Sequence, residues 1–405
     1  MDVKKLNSTD LKNYIEIEQP DVVVVIFDYH IPLHDAGANK EINNIFNIVR
    51  EKEIISVLGG KAATFYEATK LINLKADIFI KHDMEKPLND LFNLMEQNNW
   101  RSNLINIENI RYWDFDIKDK LVDTKYRTNQ IMLDSFPIPN RDLIDLDDYI
   151  DVRTILSSRG CNLKYSFCHV PGFWGNWKGR TSKHVCDEII YLQNNYNSSK
   201  VLFLDDNALA KPQRMKEISK LLIENKSNVK LGWLGTIVSF NEDVLSNMFK
   251  AGFRWIHYGA ESGDDYQLKT MDKKINAKQI GQVIKHTQNI GFRVRTSWIL
   301  DMPDLTIDGL KKTEDLILEQ DSQEIRLHFL TLRLWSILFK KHNIETKQFI
   351  HNNKQLEDVD LKTLAVINSG YKIEIVRKKE ILPIIKFIKE KYKIKDITKL
   401  YDIKK

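Results

Sequence analysis

The feature that most constrains the fold is a regular alternation of strand-like runs and amphipathic helices after residue 150. Six apolar, strand-like runs occur, at residues 152–157, 200–204, 231–240, 254–258, 292–300 and 325–332. Helical segments separate them, such as 183–196, where Val185, Ile189 and Leu192 recur at helical spacing. Six such βα steps predict an α/β fold with a partial (βα)6 barrel over residues 151–332. In such barrels the chemistry gathers at the carboxyl ends of the strands.

A shorter α/β alternation precedes this region. Residues 21–27 form a continuous apolar run, typical of a parallel strand buried on both faces. Further strands are predicted at 54–58 and 76–80, with a helix at 42–53 between the first two. Only about three strands are expected, so we predict a short, truncated Rossmann-like domain over residues 1–100.

Two other segments complete the predicted organisation. Residues 101–150 are polar and contain Pro137 and Pro139, which exclude a regular helix around them, so we predict a linker there. Residues 333–405 are predicted to be an α-rich C-terminal segment.

Composition narrows the class of protein. The 405 residues contain only three cysteines, Cys161, Cys168 and Cys186, which is too few for a disulfide framework and suggests metal or redox chemistry instead. No apolar stretch approaches the roughly 20 residues of a membrane span, and the first residues lack an apolar signal core, so we expect a cytoplasmic location and no membrane partner. The net charge of +5 is modest and gives no nucleic-acid footprint.

The cysteine-containing segment after the first barrel strand is the most informative motif. Within residues 158–169, Cys161 and Cys168 take the outer positions of a C-x3-x-x2-C pattern, Tyr165 takes the middle position, and the aromatic Phe167 precedes the last cysteine. This register resembles the radical S-adenosylmethionine (SAM) superfamily, in the branch that joins a cobalamin-binding-type domain to an iron–sulfur barrel. The resemblance implies that Cys161 and Cys168 ligate a [4Fe-4S] cluster and that SAM binds its open iron.

Tyr165 departs from that pattern, because phenolate is a hard oxygen ligand where the family has a soft thiolate. Compensation by Cys186 or His169 stays open, as does a zinc site made from four side chains: Cys161, Cys168, His169 and His184.

Flanking residues extend the resemblance and supply the candidate SAM-binding residues. Glu188, at the start of a helix after the cysteine motif, matches the acid that positions the SAM amino group in the family. Asp205 and Asp206 end the second barrel strand, and Glu261 and Ser262 lie in a Gly-x-Glu-Ser-Gly signature that offers a ribose acceptor and a hydroxyl.

Other positions depart from the family pattern. Asp301 and Asp304 replace glycines, and Trp335 lies where relatives have a Gly-Thr-Pro segment. These departures, together with Tyr165, favour a relaxed or repurposed site.

The N-terminal region resembles a cobalamin-binding-type domain. The base-off motif Asp-x-His-x-x-Gly is only partly present: His34 and Gly37 match, but Pro32 replaces the Asp. Cobalamin as a further cofactor therefore stays open.

The resemblance implies radical-based modification or methylation of an unknown small-molecule or natural-product substrate, with an electron donor such as flavodoxin or ferredoxin. No catalytic residue is assigned. The alternative is a catalytically inactive relative kept as a binding or regulatory module. A third hypothesis, RNA modification, draws on the basic residues 377–405, but the sequence has no second cysteine triplet.

Overall fold

The structure is a computed structural model. It describes residues 8–27, 35–65, 71, 74–117, 120–126, 132–146, 152–300, 302, 305–320, 322, 324–328, 330, 333 and 335–341. These divide into two compact units. One contains the described residues from 8 to 126 with 172–174 and 333–341, and the other contains 132–171 and the described residues from 175 to 330.

The first unit is built on a five-stranded sheet in the order β1-β2-β3-β4-β5. Its first three strands are parallel, and β4 and β5 add antiparallel. The strands are β1 (Val22–Ile26), β2 (Ile55–Gly59), β3 (Ile78–Ile80), β4 (Ile110–Trp113) and β5 (Leu121–Asp123). The helices are α1 (Ser8–Glu18), α2 (Asp35–Glu51), α3 (Lys61–Phe65), α4 (Glu85–Met95) and α5 (Trp100–Asn103).

Both faces of this sheet are covered. Successive residues of β2 point to opposite faces, so Leu58 joins one apolar cluster with Phe46 and Val57 joins another with Leu91. Helices α2 and α4 thus cover opposite faces, as in a three-layer α/β domain.

The structure differs from the sequence-based expectations at two places in this unit. Within the described residues, strand β1 pairs with β2 alone and lies at an edge of the sheet, and Ile26 is largely exposed, so its apolar run is not buried on both faces. Strands β4 and β5 lie inside the stretch 101–150 that we predicted as a linker. Their short, charged sequences hide the strand signal, but Tyr112 pairs with Ile78 in the sheet.

The second unit is built on a six-stranded sheet in the order β13-β12-β11-β10-β9-β6, and all of its neighbouring strands are parallel. Its strands are β6 (Arg153–Ile155), β9 (Lys200–Phe203), β10 (Lys230–Thr236), β11 (Phe253–Glu261), β12 (Arg293–Ile299) and β13 (Glu324–His328). A small antiparallel pair, β7 (Ser158–Arg159) and β8 (Lys178–Gly179), follows β6. All six predicted runs contain a strand, and the six strands lie in the sheet in the order in which they occur along the chain.

Helices connect these parallel strands. They are α6 (Val170–Trp174), α7 (Ser182–Tyr196), α8 (Pro212–Glu224), α9 (Glu242–Lys250), α10 (Asp265–Thr270), α11 (Ala277–Ile290) and α12 (Ile307–Glu319), followed in the chain by α13 (Ile337–Lys341). Local sequence sets their ends: Asn276 and Gln279 form a capping box at the start of α11, and Gly291 ends it at a φ of 112°. The apolar sides of α7, α8, α9, α10, α11 and α12 share one core with Phe203, Trp233 and Trp298 of the sheet.

Parallel strands bring their carboxyl ends to one edge of the sheet. Residues 156–169, 204–207, 237–241 and 261–264 follow β6, β9, β10 and β11 and therefore lie along that edge. In the described part of the chain, no helix has the length and apolarity to cross a bilayer.

Candidate functional site

The segment with the two cysteines begins directly after β7. Gly160 turns the chain at a φ of 83°, which favours glycine, and Cys161 and Cys168 follow as half-buried free thiols. The Ser166 N–H donates to the Met271 carbonyl at 3.0 Å, and its hydroxyl donates to the Thr270 carbonyl at 3.0 Å. The cysteine segment is thus held against the end of α10.

Tyr165, at the middle position of the motif, is tied to the sheet. Its hydroxyl lies 2.9 Å from Thr236 Oγ1 at the end of β10. Lys273 Nζ lies 4.8 Å from the centre of its ring, and the ring of Phe167 stacks at 5.9 Å. Burial raises the pKa of Tyr165 to about 12, so the side chain is a neutral phenol at neutral pH.

These donors do not fit a three-thiolate [4Fe-4S] site. The third cysteine, Cys186, is buried in the core that α7 shares with the sheet, where Asn225 Nδ2 lies 3.9 Å from its sulfur. Among the described residues, no three His, Cys, Asp or Glu side chains are grouped so as to hold a metal ion. The zinc site considered from the sequence is therefore wrong, and His184 instead lies 2.8 Å from Asp134.

Two contacts surround the sulfur of Cys161. The Leu163 N–H donates to Sγ at 3.4 Å, and the Asn207 side chain forms a second hydrogen bond. Burial nevertheless raises the pKa of the Cys161 thiol, while these two bonds oppose the rise. Asn207, which sequence analysis missed, is therefore a hydrogen-bonding neighbour of a candidate iron ligand.

Asp205 holds the backbone that leads into the cysteine segment. The carboxylate is fully buried and accepts from the Ser157 N–H at 2.7 Å, the Ser157 hydroxyl at 2.5 Å and the Ser158 hydroxyl. Burial raises its pKa, against the effect of these bonds. All these partners are protein groups, so the structure gives Asp205 a positioning role. Asp206 is exposed and accepts from the Gly160 N–H at 3.1 Å.

Glu188 lies inside an ion-pair network. The carboxylate belongs to a residue that is 1% exposed, and it accepts from Arg141 at 2.7 Å and from Arg180 at 2.5 Å, one arginine on each oxygen. The same arginines also donate to the carbonyls of Thr154 and Leu156 around the end of β6. Glu188 thus ties the stretch before the six-stranded sheet to helix α7.

Glu261 is the last residue of β11 and Ser262 follows it, and the two side chains have different neighbours. Glu261 has a φ of 71°, rare for a residue with a side chain, and its Oε1 lies 4.0 Å from Lys273 Nζ. Burial raises the pKa of Glu261, and Lys273 opposes the rise. Ser262 instead bonds to Thr313 Oγ1 at 3.2 Å and accepts from the Asp264 N–H at 3.1 Å, so its hydroxyl secures α12.

The structure therefore separates the candidate residues into two groups. Cys161, Cys168 and Asp206 belong to one edge of the sheet, and Tyr165 and Lys273 connect it with Glu261. Glu188, Asp205 and Ser262 are engaged with protein partners. Asp301, Asp304 and His34 lie outside the described residues, and Trp335 packs on Phe65 in the first unit at 6.0 Å.

Comparison with known proteins identifies the second unit. The model of the Radical SAM superfamily matches residues 155–317. These residues are a radical SAM domain. The superfamily uses a [4Fe-4S] cluster and SAM as its cofactors, and this chain presents two of the three cysteines in the described ligand loop.

Two relatives by sequence are named as methyltransferases. The chain is similar to an uncharacterized methyltransferase of Pyrococcus horikoshii, 26% identical over 45% of this chain and 40% of the relative. It is also similar to the cytidylyl-2-hydroxyethylphosphonate methyltransferase of Streptomyces wedmorensis, 25% identical over 47% of this chain and 39% of the relative. The chain thus matches about two fifths of the length of these relatives.

A solved structure extends the likeness beyond the radical SAM domain. The cobalamin-dependent SAM radical enzyme OxsB, solved with aqua-cobalamin, superposes with a TM-score of 0.67 at 15% identity, covering 96% of this chain and 56% of that chain. At this identity the likeness shows the fold.

Proposed function

We propose that the chain binds SAM along the carboxyl edge of the six-stranded sheet and acts in radical-based modification or methylation of a small-molecule substrate. The observation that carries the proposal is the side-chain series that links the cysteine segment to Glu261. Tyr165 joins that segment to β10 through Thr236, and Lys273 lies between the Tyr165 ring and Glu261.

Glu261 has the properties of a ligand for the cofactor. Its side chain is 13% exposed, and Lys273 Nζ lies 4.0 Å from its Oε1, beyond hydrogen-bond distance. Lys273 donates to the Gly259 carbonyl at 2.6 Å instead, which leaves the Glu261 carboxylate able to accept from the hydroxyl groups of a ribose. The left-handed backbone at Glu261 costs about 1 kcal/mol or more, and such strain is typical of functional positions.

Radical chemistry would need a [4Fe-4S] cluster to pass the reductant's electron to SAM, and Cys161 and Cys168 would hold it. Because the described residues do not supply a third thiolate there, no step through iron is proposed. The named relatives are methyltransferases, which favours an enzyme over the alternative of a non-catalytic binding module. A small-molecule substrate and a reductant of the flavodoxin or ferredoxin type complete the proposal. The chain's location in the cytoplasm remains an expectation.

Calorimetric titration with SAM tests this site. The substitution Glu261→Gln keeps the shape of the side chain and removes its charge, so we expect SAM affinity to fall by about tenfold or more. The matched control is Glu224→Gln, because Glu224 is an exposed acid on α8 with only a 3.7 Å pair to Lys220. It should bind SAM like the unchanged protein.

Two results would contradict the proposal. The first is an unchanged protein that binds no SAM at millimolar concentration, which would favour the binding-module alternative. The second is a folded Glu261→Gln protein, checked by circular dichroism, that binds SAM as tightly as the control.

We also propose that the first unit is a cobalamin-binding-type domain. The support is its three-layer α/β sheet and the likeness to OxsB, whose structure carries aqua-cobalamin. Co-elution of hydroxocobalamin in gel filtration tests this, and His34→Ala tests the ligand suggested by the sequence. A protein that elutes free of the corrinoid absorption would refute it.

A further inference from the structure

The face of the sheet that points away from the helices becomes polar over β11, β12 and β13. On the helix side, Tyr258, Trp298 and Ile325 belong to the apolar core. Residues that alternate with them point to the other face. We call this the polar face, and define it by the residues His257, Arg295, Ser297, Glu324 and Arg326.

The strand register brings these side chains together. His257 pairs across the sheet with Arg295, and Arg295 pairs with Glu324. One step further along the strands, Ser297 pairs with Arg326. His257 Nε2 also lies 2.5 Å from Ser297 Oγ, so the polar face is continuous over three strands.

Positive charge exceeds negative charge there. Glu324 is shared by two arginines, because Arg293 Nη2 lies 2.9 Å from Oε1 and the Arg295 Nε–H donates to Oε2 at 2.5 Å. Arg326 brings a third guanidinium. On this face, the described residues of β12 and β13 thus carry three guanidinium groups and one carboxylate, that of Glu324.

Among the described residues, Arg326 is the arginine of the polar face whose charge is not balanced by a carboxylate. Its Nε atom is shielded from solvent and has no hydrogen-bond partner, and no ion pair to it is found within the described residues. Burial lowers the pKa of His257 to about 3, with Arg326, Arg295 and His328 contributing, so this histidine is neutral. A buried donor without an acceptor costs free energy that a bound anion would recover.

We propose that the polar face binds an anionic group of the substrate, a carboxylate or a phosphate, with Arg326 as its direct ligand. The planar guanidinium matches such groups with two parallel hydrogen bonds. Arg326 aligns with Ser297, which aligns in turn with Gly259, two residues before Glu261. The inference rests on the proposed function, because it places the substrate on the same sheet as the proposed SAM site.

The test is calorimetric titration with inorganic phosphate at low ionic strength, without and with saturating SAM. The unchanged protein should bind phosphate in both conditions, and Arg326→Gln should weaken that binding by about tenfold or more. Arg326→Lys keeps the charge but loses the paired hydrogen bonds, so its affinity for phosphate should lie between those of the unchanged protein and of Arg326→Gln. It replaces the glutamine variant in the test if that variant does not fold.

The control is Lys220→Gln on α8, an exposed position 77% open to solvent, which lowers the net charge by the same amount. It should bind phosphate like the unchanged protein. An equal loss in the control and in Arg326→Gln would show a general charge effect and overturn the inference. Absence of phosphate binding to the unchanged protein at millimolar concentration would also overturn it.

SAM carries a carboxylate of its own, so the anion site could serve either SAM or the substrate. The titrations without and with SAM distinguish these two cases. If SAM competes with phosphate, the anion site belongs to the cofactor and the inference is wrong. If phosphate binds and SAM does not, the proposed function fails while the anion site stands. Retained SAM affinity in Arg326→Gln, with phosphate binding lost, is the expected pattern.

Discussion

The substitution Tyr165→Cys should give the cysteine segment the third thiolate that it lacks. The structure sets what the change removes: the 2.9 Å bond to Thr236, the ring beneath Lys273 and the stacking with Phe167. Loss of a largely buried ring and its hydrogen bond should destabilise the metal-free protein by about 2–4 kcal/mol. In exchange, three thiolates can bind a cubane cluster, so anaerobic reconstitution should yield about four irons and four sulfides per chain.

The assay is chemical analysis of iron and sulfide after reconstitution and desalting, with the unchanged protein and Tyr165→Phe beside the variant. The phenylalanine control removes the hydroxyl without adding a thiolate, so it should hold as little iron as the unchanged protein. Our reasoning would be refuted if the unchanged protein already held four irons. It would also fail if the cysteine variant, shown to be folded, took up no more iron than the phenylalanine control.

Two further predictions concern stability. Glu188→Gln should lower the free energy of unfolding by about 3–5 kcal/mol, because it leaves two arginines beside a neutral group in a buried site. Urea titration measures this loss, with Glu224→Gln as the control, and a loss under about 1 kcal/mol would contradict the prediction. His257 gives a pH dependence. Its pKa is about 3 when folded against 6.5 as a free side chain, so between these values the unfolded chain binds more protons and stability falls with acidification, by up to about 1.4 kcal/mol per pH unit. The free energy of unfolding, measured by urea titration between about pH 7 and about pH 5, should fall less steeply with decreasing pH in His257→Gln than in the unchanged protein. An equal pH dependence in the two proteins would refute the lowered pKa of His257.

Much of the fold could be predicted from the sequence because periodicity is a local signal. Each of the six predicted runs in the second unit contains a strand, and the helix predicted at 183–196 is observed at Ser182–Tyr196. Strands β4 and β5 were missed, because three or four residues are too few to show a period. Whether a strand such as β1 is central or at an edge depends on pairing, which local pattern does not encode.

The candidate site was less predictable, because the role of a polar residue depends on partners that are distant in sequence. Glu188 looked like a cofactor ligand, but its partner Arg141 is 47 residues away, and Asp205 is engaged by serines 47 and 48 residues away. Arg326 was missed for the same reason. Its signal was the alternation of charged and apolar residues along β12 and β13, which becomes informative only when the register of the two strands is known.

The contacts of Tyr165 explain how the segment keeps its position with a phenol at the middle position. Ser166 is bonded to two carbonyls at the end of α10, and Tyr165 is bonded to Thr236 at the end of β10. Because these are protein groups, the segment is fixed to β10 and to the end of α10 by bonds that do not involve the cysteine sulfurs. A thiolate at residue 165 would lose one of these attachments, so iron ligation would have to replace the hydrogen bond to Thr236. The stability of Tyr165→Cys should therefore depend on iron more strongly than that of Tyr165→Phe.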